Sequence, residues 1–149
     1  MKKINLITSK SSDYTGIGFY AENLCMDLFL MGFDSEIKEI PKYEINIRNR
    51  KIGGWKSQEL FLKYYHASGI NHSTSHWVIT PKTNIITIHD LFPLTLKELN
   101  VPDSIKQLHL KKLGMINQNN IVIVPSNEIN NRLYIKFHCF HRWKSLTLP

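Results

Sequence analysis

The amino-acid sequence predicts an α/β domain, a three-layer Rossmann-like arrangement with a mainly parallel sheet between helices. Three observations carry that expectation. Short apolar runs alternate along the chain with stretches of helical periodicity. The runs are continuous rather than alternating in polarity, the pattern of strands buried on both faces. The length, 149 residues, is that of one ordinary domain with a core of its own.

Taken in order, Ile4-Asn5-Leu6-Ile7-Thr8 reads as a buried strand. After a polar loop, Ser9 to Thr15, apolar residues recur at Ile17, Tyr20, Ala21, Leu24, Leu28 and Met31. That spacing places them on one helical face, and Gly32 supplies the stop. Ser35 to Ile40 is a second strand ended by Pro41. Lys42 to Gly54 is polar and basic, with Arg48-Asn49-Arg50-Lys51 and Gly53-Gly54, and reads as a loop. Trp55 to His66 is expected to be helical, with Leu60, Phe61 and Tyr64 sharing its apolar face. Gly69 to Ser73 is a short strand and Asn84 to His89 another. Ser104 to Ile116 forms a helix behind Pro102-Asp103. Ile121 to Val124 is the last strand, closed by Pro125-Ser126, with a short helix near Asn127 to Ile135. Right-handed crossovers between such strands give an open, layered sheet.

Composition narrows the function classes. With 42% hydrophobic and 21% charged residues, disorder and collagen-like repeats are excluded. Nineteen basic against 12 acidic residues give a net charge of +7 and a pI near 9.4. That excess favours phosphates, nucleic acid or anionic lipid without choosing among them. No RNA-binding or helix-turn-helix signature accompanies Arg48 to Lys51, so a solvated basic loop is the reading and nucleic acid is not an expected partner. Cys25 and Cys139 lie far apart, which argues against a disulfide framework and for the reducing cytoplasm. The start, Met1-Lys2-Lys3 before Ile4 to Ile7, is too short in apolar residues for a signal peptide. No run is long enough to span a bilayer, so any membrane contact is expected at the surface.

In an open α/β sheet, ligands bind where the carboxyl ends of strands meet the following loops. Here those loops are Ser9–Gly18, Ser73–Thr80, His89–Leu94 and Pro125–Glu128. In the first, Gly16-Ile17-Gly18-Phe19-Tyr20-Ala21 opens a helix, where glycines admit close approach and exposed N–H groups attract phosphate oxygens. It formally matches the dinucleotide fingerprint G-x-G-x-x-A, with Glu39 as the ribose-binding acid. However, seven residues separate strand and glycine where the fingerprint has none. An anion or substrate loop, a dinucleotide site and a plain turn are the readings of this segment. In Thr87-Ile88-His89-Asp90, an imidazole and a carboxylate follow a central strand, where they can donate hydrogen bonds or move a proton. The bland alternative is a satisfied loop histidine and a turn-capping aspartate. His72 and His76, four apart, invite a metal reading, but no helix and no H-E-x-x-H glutamate accompany them. They read first as loop residues and second as substrate contacts. His138, Cys139 and His141 lack a distant fourth ligand and read as chance clustering, so no metal site is expected.

The order of these motifs resembles the N-terminal domain of the retaining, two-domain glycosyltransferases of the family 4 type, the GT-B fold. The resemblance runs from about Lys3 to Phe137 and rests on Gly-Ile-Gly-x-Tyr, His-x-Thr-Ser-His-Trp, Thr-Ile-His-Asp-Leu-x-Pro-Leu and Ile-Val-x-Pro-Ser. It implies transfer of a sugar from a nucleotide-sugar donor to a glycan or lipid-linked acceptor, with retained configuration, no required metal and no cofactor. It implies that Gly16 and Gly18 lie close to the donor diphosphate, and that His89 lies beside the transferred sugar. Asp90 matches an adjoining acidic position, while Ser126 and Glu128 match the loop after the fifth strand. Tyr20 belongs to the glycine motif and is counted, with His72 and His76, among the substrate-binding candidates.

Residues 1–137 are thus expected to form the acceptor-side domain. The tail, 138–149, is aromatic and basic and does not resemble the strand and linker that the family's donor-binding domain would require. The expectation is a truncated or frame-shifted product, or one half of a split enzyme whose C-terminal domain lies on a separate chain. Such a half would turn over little alone. It would work in the cytoplasm or at the inner face of an anionic membrane. The alternatives are a non-catalytic module that binds a glycan, lipid or protein, and a small dinucleotide-binding domain.

Overall fold

The computed structural model describes residues 3–9, 16–41, 43–47, 50–91, 94, 100–125 and 144–147. In chain order the elements are β1 (Ile4–Ser9), α1 (Gly16–Leu30), β2 (Ser35–Ile40), β3 (Glu44–Ile47), β4 (Arg50–Gly53) and α2 (Trp55–Tyr64). They continue with β5 (Ile70–Ser73), a 3-10 turn (His76–Val78), β6 (Ile85–Thr87), α3 (Asp103–Leu113), β7 (Ile121–Val124) and β8 (Lys144–Thr147). Six parallel strands form one sheet in the order β2-β1-β5-β6-β7-β8. With helices on both faces, this is the three-layer, Rossmann-like α/β fold that the sequence predicts.

The two faces follow from strand alternation. On β2, Ser35 and Ile37 line a cavity against α1, whereas Ile40 packs with Ile7, Val78 and Leu62 of α2. Opposite parity means opposite faces, so α1 lies on one side of the sheet and α2 on the other. The main core is on the α2 side, where Ile86, Ile88, Val122 and Val124 meet Leu113, Ile116, Ile79 and Leu91. On the other side Leu6 of β1 is fully buried, and within α1 the fully buried residue is Ala21.

Helix α1 ends as expected. Gly32 takes a positive φ of +84°, the Phe33 N–H donates to the Leu28 carbonyl (2.9 Å), and the Gly32 N–H donates to that of Phe29 (2.9 Å). This is a Schellman stop, whose left-handed residue is most readily glycine. Gly69 is more constrained. Its φ is +103°, and an added Cβ would lie 2.2 Å from the Lys3 carbonyl oxygen, which accepts the Ile70 N–H that starts the β1–β5 pairing. Gly69→Ala is therefore expected to lower stability by about 2–3 kcal/mol, measured by urea unfolding. Wild-type stability would mean that the Lys3 carbonyl can shift without losing that pairing.

Four expectations need correction. The stretch Lys42 to Gly54 is not all loop: β3 and β4 form an antiparallel hairpin, pairing Ile45 with Ile52 and Asn46 with Lys51. Its apolar alternation (Ile45, Ile47, Ile52) is short and diluted by charges, which hid it. In α2 the buried positions are Gln58 and Leu62, while Leu60, Phe61 and Tyr64 are exposed. A helix of 10 residues offers two overlapping stripes, and contact with Ile7 and Ile40 selects the one bearing Leu62. Strand β6 spans only Ile85–Thr87, although the Ile88 N–H still reaches the Ile123 carbonyl (2.9 Å). The tail supplies a strand after all, since β8 pairs with β7 from Ile121↔Lys144 to Val124↔Thr147. The helix expected near Asn127 to Ile135 lies outside the described residues.

Candidate functional site

Strand β1 has β2 on one side and β5 on the other, so the strand order turns back between β1 and β5. The carboxyl ends at such a point border a crevice. The amino ends are closed instead by buried amides. Asn5 Nδ2 donates to Asn71 Oδ1 (3.0 Å) and to the Ser68 carbonyl (2.9 Å), and Asn120 Nδ2 donates to the Thr83 carbonyl (2.7 Å). The chemistry-bearing side chains gather at the other end.

There, Tyr20 of α1 reaches over the sheet to β6. Its hydroxyl lies 3.0 Å from Thr87 Oγ1, which also lies 2.8 Å from His72 Nε2. The Tyr20 ring stands edge-on to His72 (6.3 Å between centroids) and to His89 (5.0 Å). Burial raises the Tyr20 pKa against the opposing pull of the Thr87 bond, so the phenol stays neutral. His72 is buried, and desolvation, helped by the nearby His89, lowers its pKa to about 4. It is a neutral imidazole that positions Thr87 and Tyr20 from behind.

His89 is half-buried, and its Nε2 lies 2.8 Å from the Thr74 carbonyl oxygen. A carbonyl only accepts, so Nε2 carries the proton and Nδ1 keeps the lone pair in the neutral ring. The backbone after β5 thus fixes both ring orientation and tautomer. Asp90 is also half-buried, and its charge acts on His109.

His76, in the 3-10 turn, is buried and faces α3, with Nε2 2.6 Å from His109 Nδ1. Trp77 stands edge-on to His109, 3.8 Å between centroids. One proton serves that contact, and the outer nitrogens, His76 Nδ1 and His109 Nε2, are buried without a hydrogen-bond partner. Desolvation holds both rings well below the usual histidine pKa. For His76 the neighbouring His109, His89 and Lys112 add to the effect, and for His109 the Asp90 charge opposes it. Neither His72 nor His76 therefore presents an open nitrogen at the surface, and their Nε2 atoms bond to different partners. Among the described residues no group of three or more His, Cys, Asp and Glu could hold a metal ion.

Gly16 and Gly18 are the first and third residues of α1, after β1 has ended at Ser9. A Cβ added at Gly16 would meet nothing within 4 Å, so local packing does not demand a glycine there. The first N–H groups of a 15-residue helix still favour an anion. Ser126, Glu128 and the trio His138, Cys139 and His141 lie outside the described residues.

Sequence reasoning missed Thr87 as the shared hydroxyl, and it missed His109. A signal for the second exists: in Ile105, His109, Lys112 and Ile116 the spacing is that of a core stripe, so two polar residues occupy core positions. Both are buried. Lys112 pairs with Glu59 of α2, which also takes Lys111 at 3.1 Å.

The fold and these strand-end groups define a Rossmann-like α/β domain with a candidate site at its topological switch point. No protein-family model, curated protein or solved structure matches the chain. No helix of the described residues is long and apolar enough to cross a membrane.

Proposed function

We propose that this domain is the acceptor side of a retaining glycosyltransferase that transfers a sugar from a nucleotide-sugar to a glycan or lipid-linked acceptor. The observation that carries the reading is His89, held at the carboxyl end of the sheet by Thr74 with one ring nitrogen left as an acceptor. Tyr20 is braced beside it through Thr87 and His72. A ring nitrogen left over from the Thr74 bond suits a sugar hydroxyl, and an aromatic edge adds apolar contact. The N–H groups opening α1 at Gly16 and Gly18 favour a departing diphosphate, whose developing charge oriented donors stabilise. His89 accepts a hydrogen bond from the transferred sugar, and Asp90 holds charge near the His76–His109 pair.

In this proposal the donor's nucleotide is bound mainly by a second domain, which acts as a partner, and the domain alone binds donor weakly. The net charge of +7 suits a cytoplasmic location beside an anionic membrane or a lipid phosphate. The dinucleotide alternative draws less support, because the chain between Ser9 and Gly16 separates the helix start from the strand.

Ligand-observed NMR with nucleotide-sugars, free oligosaccharides, a lipid-linked glycan and NAD tests the reading. Glycan or nucleotide-sugar binding is expected, weakened at least tenfold by His89→Ala with an unchanged circular-dichroism spectrum. Binding of NAD without any sugar ligand would replace the proposal with the dinucleotide reading. Glycan binding indifferent to His89→Ala would remove His89 from the site.

A further inference from the structure

Two surfaces of the domain are apolar, exposed and opposite in charge. The first is the outer side of α1, where Phe19, Met26, Phe29 and Leu30 are exposed between 59% and 74%. The stripe Phe19, Met26 and Leu30 follows helical spacing and is flanked by the exposed carboxylates of Glu22 and Asp27. No lysine, arginine or histidine occurs between Gly16 and Leu30. A helix apolar on nearly all sides is ordinarily covered on all sides.

The second is a groove on the opposite side of the sheet, between α2 and α3. The connection from β5 to β6 carries only a 3-10 turn where the crossovers β1–β2, β2–β5 and β6–β7 carry helices. The layer therefore has a helix-sized gap, with a volume of about 720 Å³. The exposed Leu60 and the partly buried Leu108 and Met115 line it over a floor of the buried Leu62 and Ile79, and Lys56, Lys63 and Lys111 stand along it. The one carboxylate of this lining, Glu59, is taken by Lys111 and Lys112.

We propose that α1 of one copy of this chain docks in the α2–α3 groove of another, so that the protein associates head to tail. Charge selects this occupant: the carboxylates flanking the α1 stripe meet a groove that is net positive. Length agrees as well. From Phe19 to Leu30 the stripe runs about 16 Å at 1.5 Å per residue. By the same rise the walls run about 15 Å for the 10 residues of α2 and about 16 Å for the 11 of α3. The docking is the helix-in-groove mode, read through anchors at three- and four-residue spacing. The two surfaces differ and lie on opposite faces of the sheet, so the contact is heterologous and each copy can engage two others.

Sedimentation velocity of the full chain from 1 to 200 µM tests this, with variants restricted to exposed positions. Average mass is expected to rise with concentration and to fall back at high salt. Met26→Asn/Leu30→Asn removes the α1 anchors, and Leu60→Asn/Lys63→Asn alters the groove wall. Each variant alone is expected to associate at least tenfold more weakly, with an unchanged circular-dichroism spectrum. Mixed in equal amounts, they are expected to form a 1:1 dimer that grows no further, because one intact α1 and one intact groove remain. A mixture that stays monomeric while wild type associates would overturn the proposal in favour of a symmetric contact. Wild type monomeric at 200 µM would overturn it outright. In that event, flotation with vesicles of phosphatidylglycerol, lost in Lys56→Asn/Lys63→Asn, would identify the groove as a membrane contact instead.

Discussion

Acidification from pH 7 to pH 5 is expected to destabilise the fold by about 4 kcal/mol, most of it lost below pH 6.5. His72, His76 and His109 are buried and held neutral, with folded pKa values below the ordinary 6.5 and near 4 for His72. The unfolded chain takes up protons on these rings as the pH falls through about 6.5, whereas the folded chain refuses them until about 4. Between those values the unfolded state binds more protons, so stability drops as pH drops. A single histidine with the His72 shift accounts for about 2 kcal/mol at pH 5. Glu36 and Glu59, whose pKa values lie below 4.5, titrate later and do not account for a loss in this window. Urea midpoints at pH 7, 6 and 5 measure the effect, and His76→Asn/His109→Asn should flatten the profile by about half. A wild-type midpoint unchanged across that range would mean that the folded protein accepts these protons.

Glu59→Gln is expected to cost about 3 kcal/mol in stability, although Glu59 itself is partly exposed. Its partner Lys112 is only 2% exposed and would be left with a buried, uncompensated ammonium. Burial lowers the Lys112 pKa in spite of the Glu59 hydrogen bond and charge. For Glu59, burial pulls upward but is outweighed by Lys112 and then Lys111. The pairing thus favours the charged form of the better-solvated partner, while burial still works against that of Lys112. Replacing both residues, as Glu59→Leu/Lys112→Met, should recover most of the loss, since an apolar pair of similar volume carries no desolvation cost. Equilibrium unfolding of the single and double variants checks this. A double variant as unstable as Glu59→Gln would show that the ion pair supplies specificity that apolar contact cannot.

Much of the fold is legible in the residues. Ile4 to Thr8 is an apolar run buried on both faces, Ile121 to Val124 is an apolar run buried on one face, Ser35 to Ile40 is a strand bounded by turn signals, and Gly32 ends α1 as its sequence requires. The hairpin Glu44 to Gly53 was illegible because three isoleucines among basic residues give too short an alternation. The strand at Lys144 was illegible because an edge strand needs only one covered partner and little apolar character. In the site, Tyr20, His72 and His89 come together at the ends of β5 and β6, while Gly16 opens α1. The partnership of His76 with His109 is across 33 positions, and nothing local announces it except a histidine standing where a helix stripe calls for an apolar residue.

By itself the sequence determined the class, most of the strands and helices of the main sheet and the end of that sheet at which polar chemistry collects, because periodicity, turn residues and apolar runs act over neighbouring positions. Only the tertiary structure decided which stripe of α2 is buried, that His72 and His76 stand behind the site, and that Lys112 lies in the core beside Glu59. It alone left α1 bare on one side of the sheet and a groove on the other. Those outcomes depend on which elements become neighbours. Burial, and with it the pKa of a histidine or the cost of a lysine, is set by atoms far away in the chain.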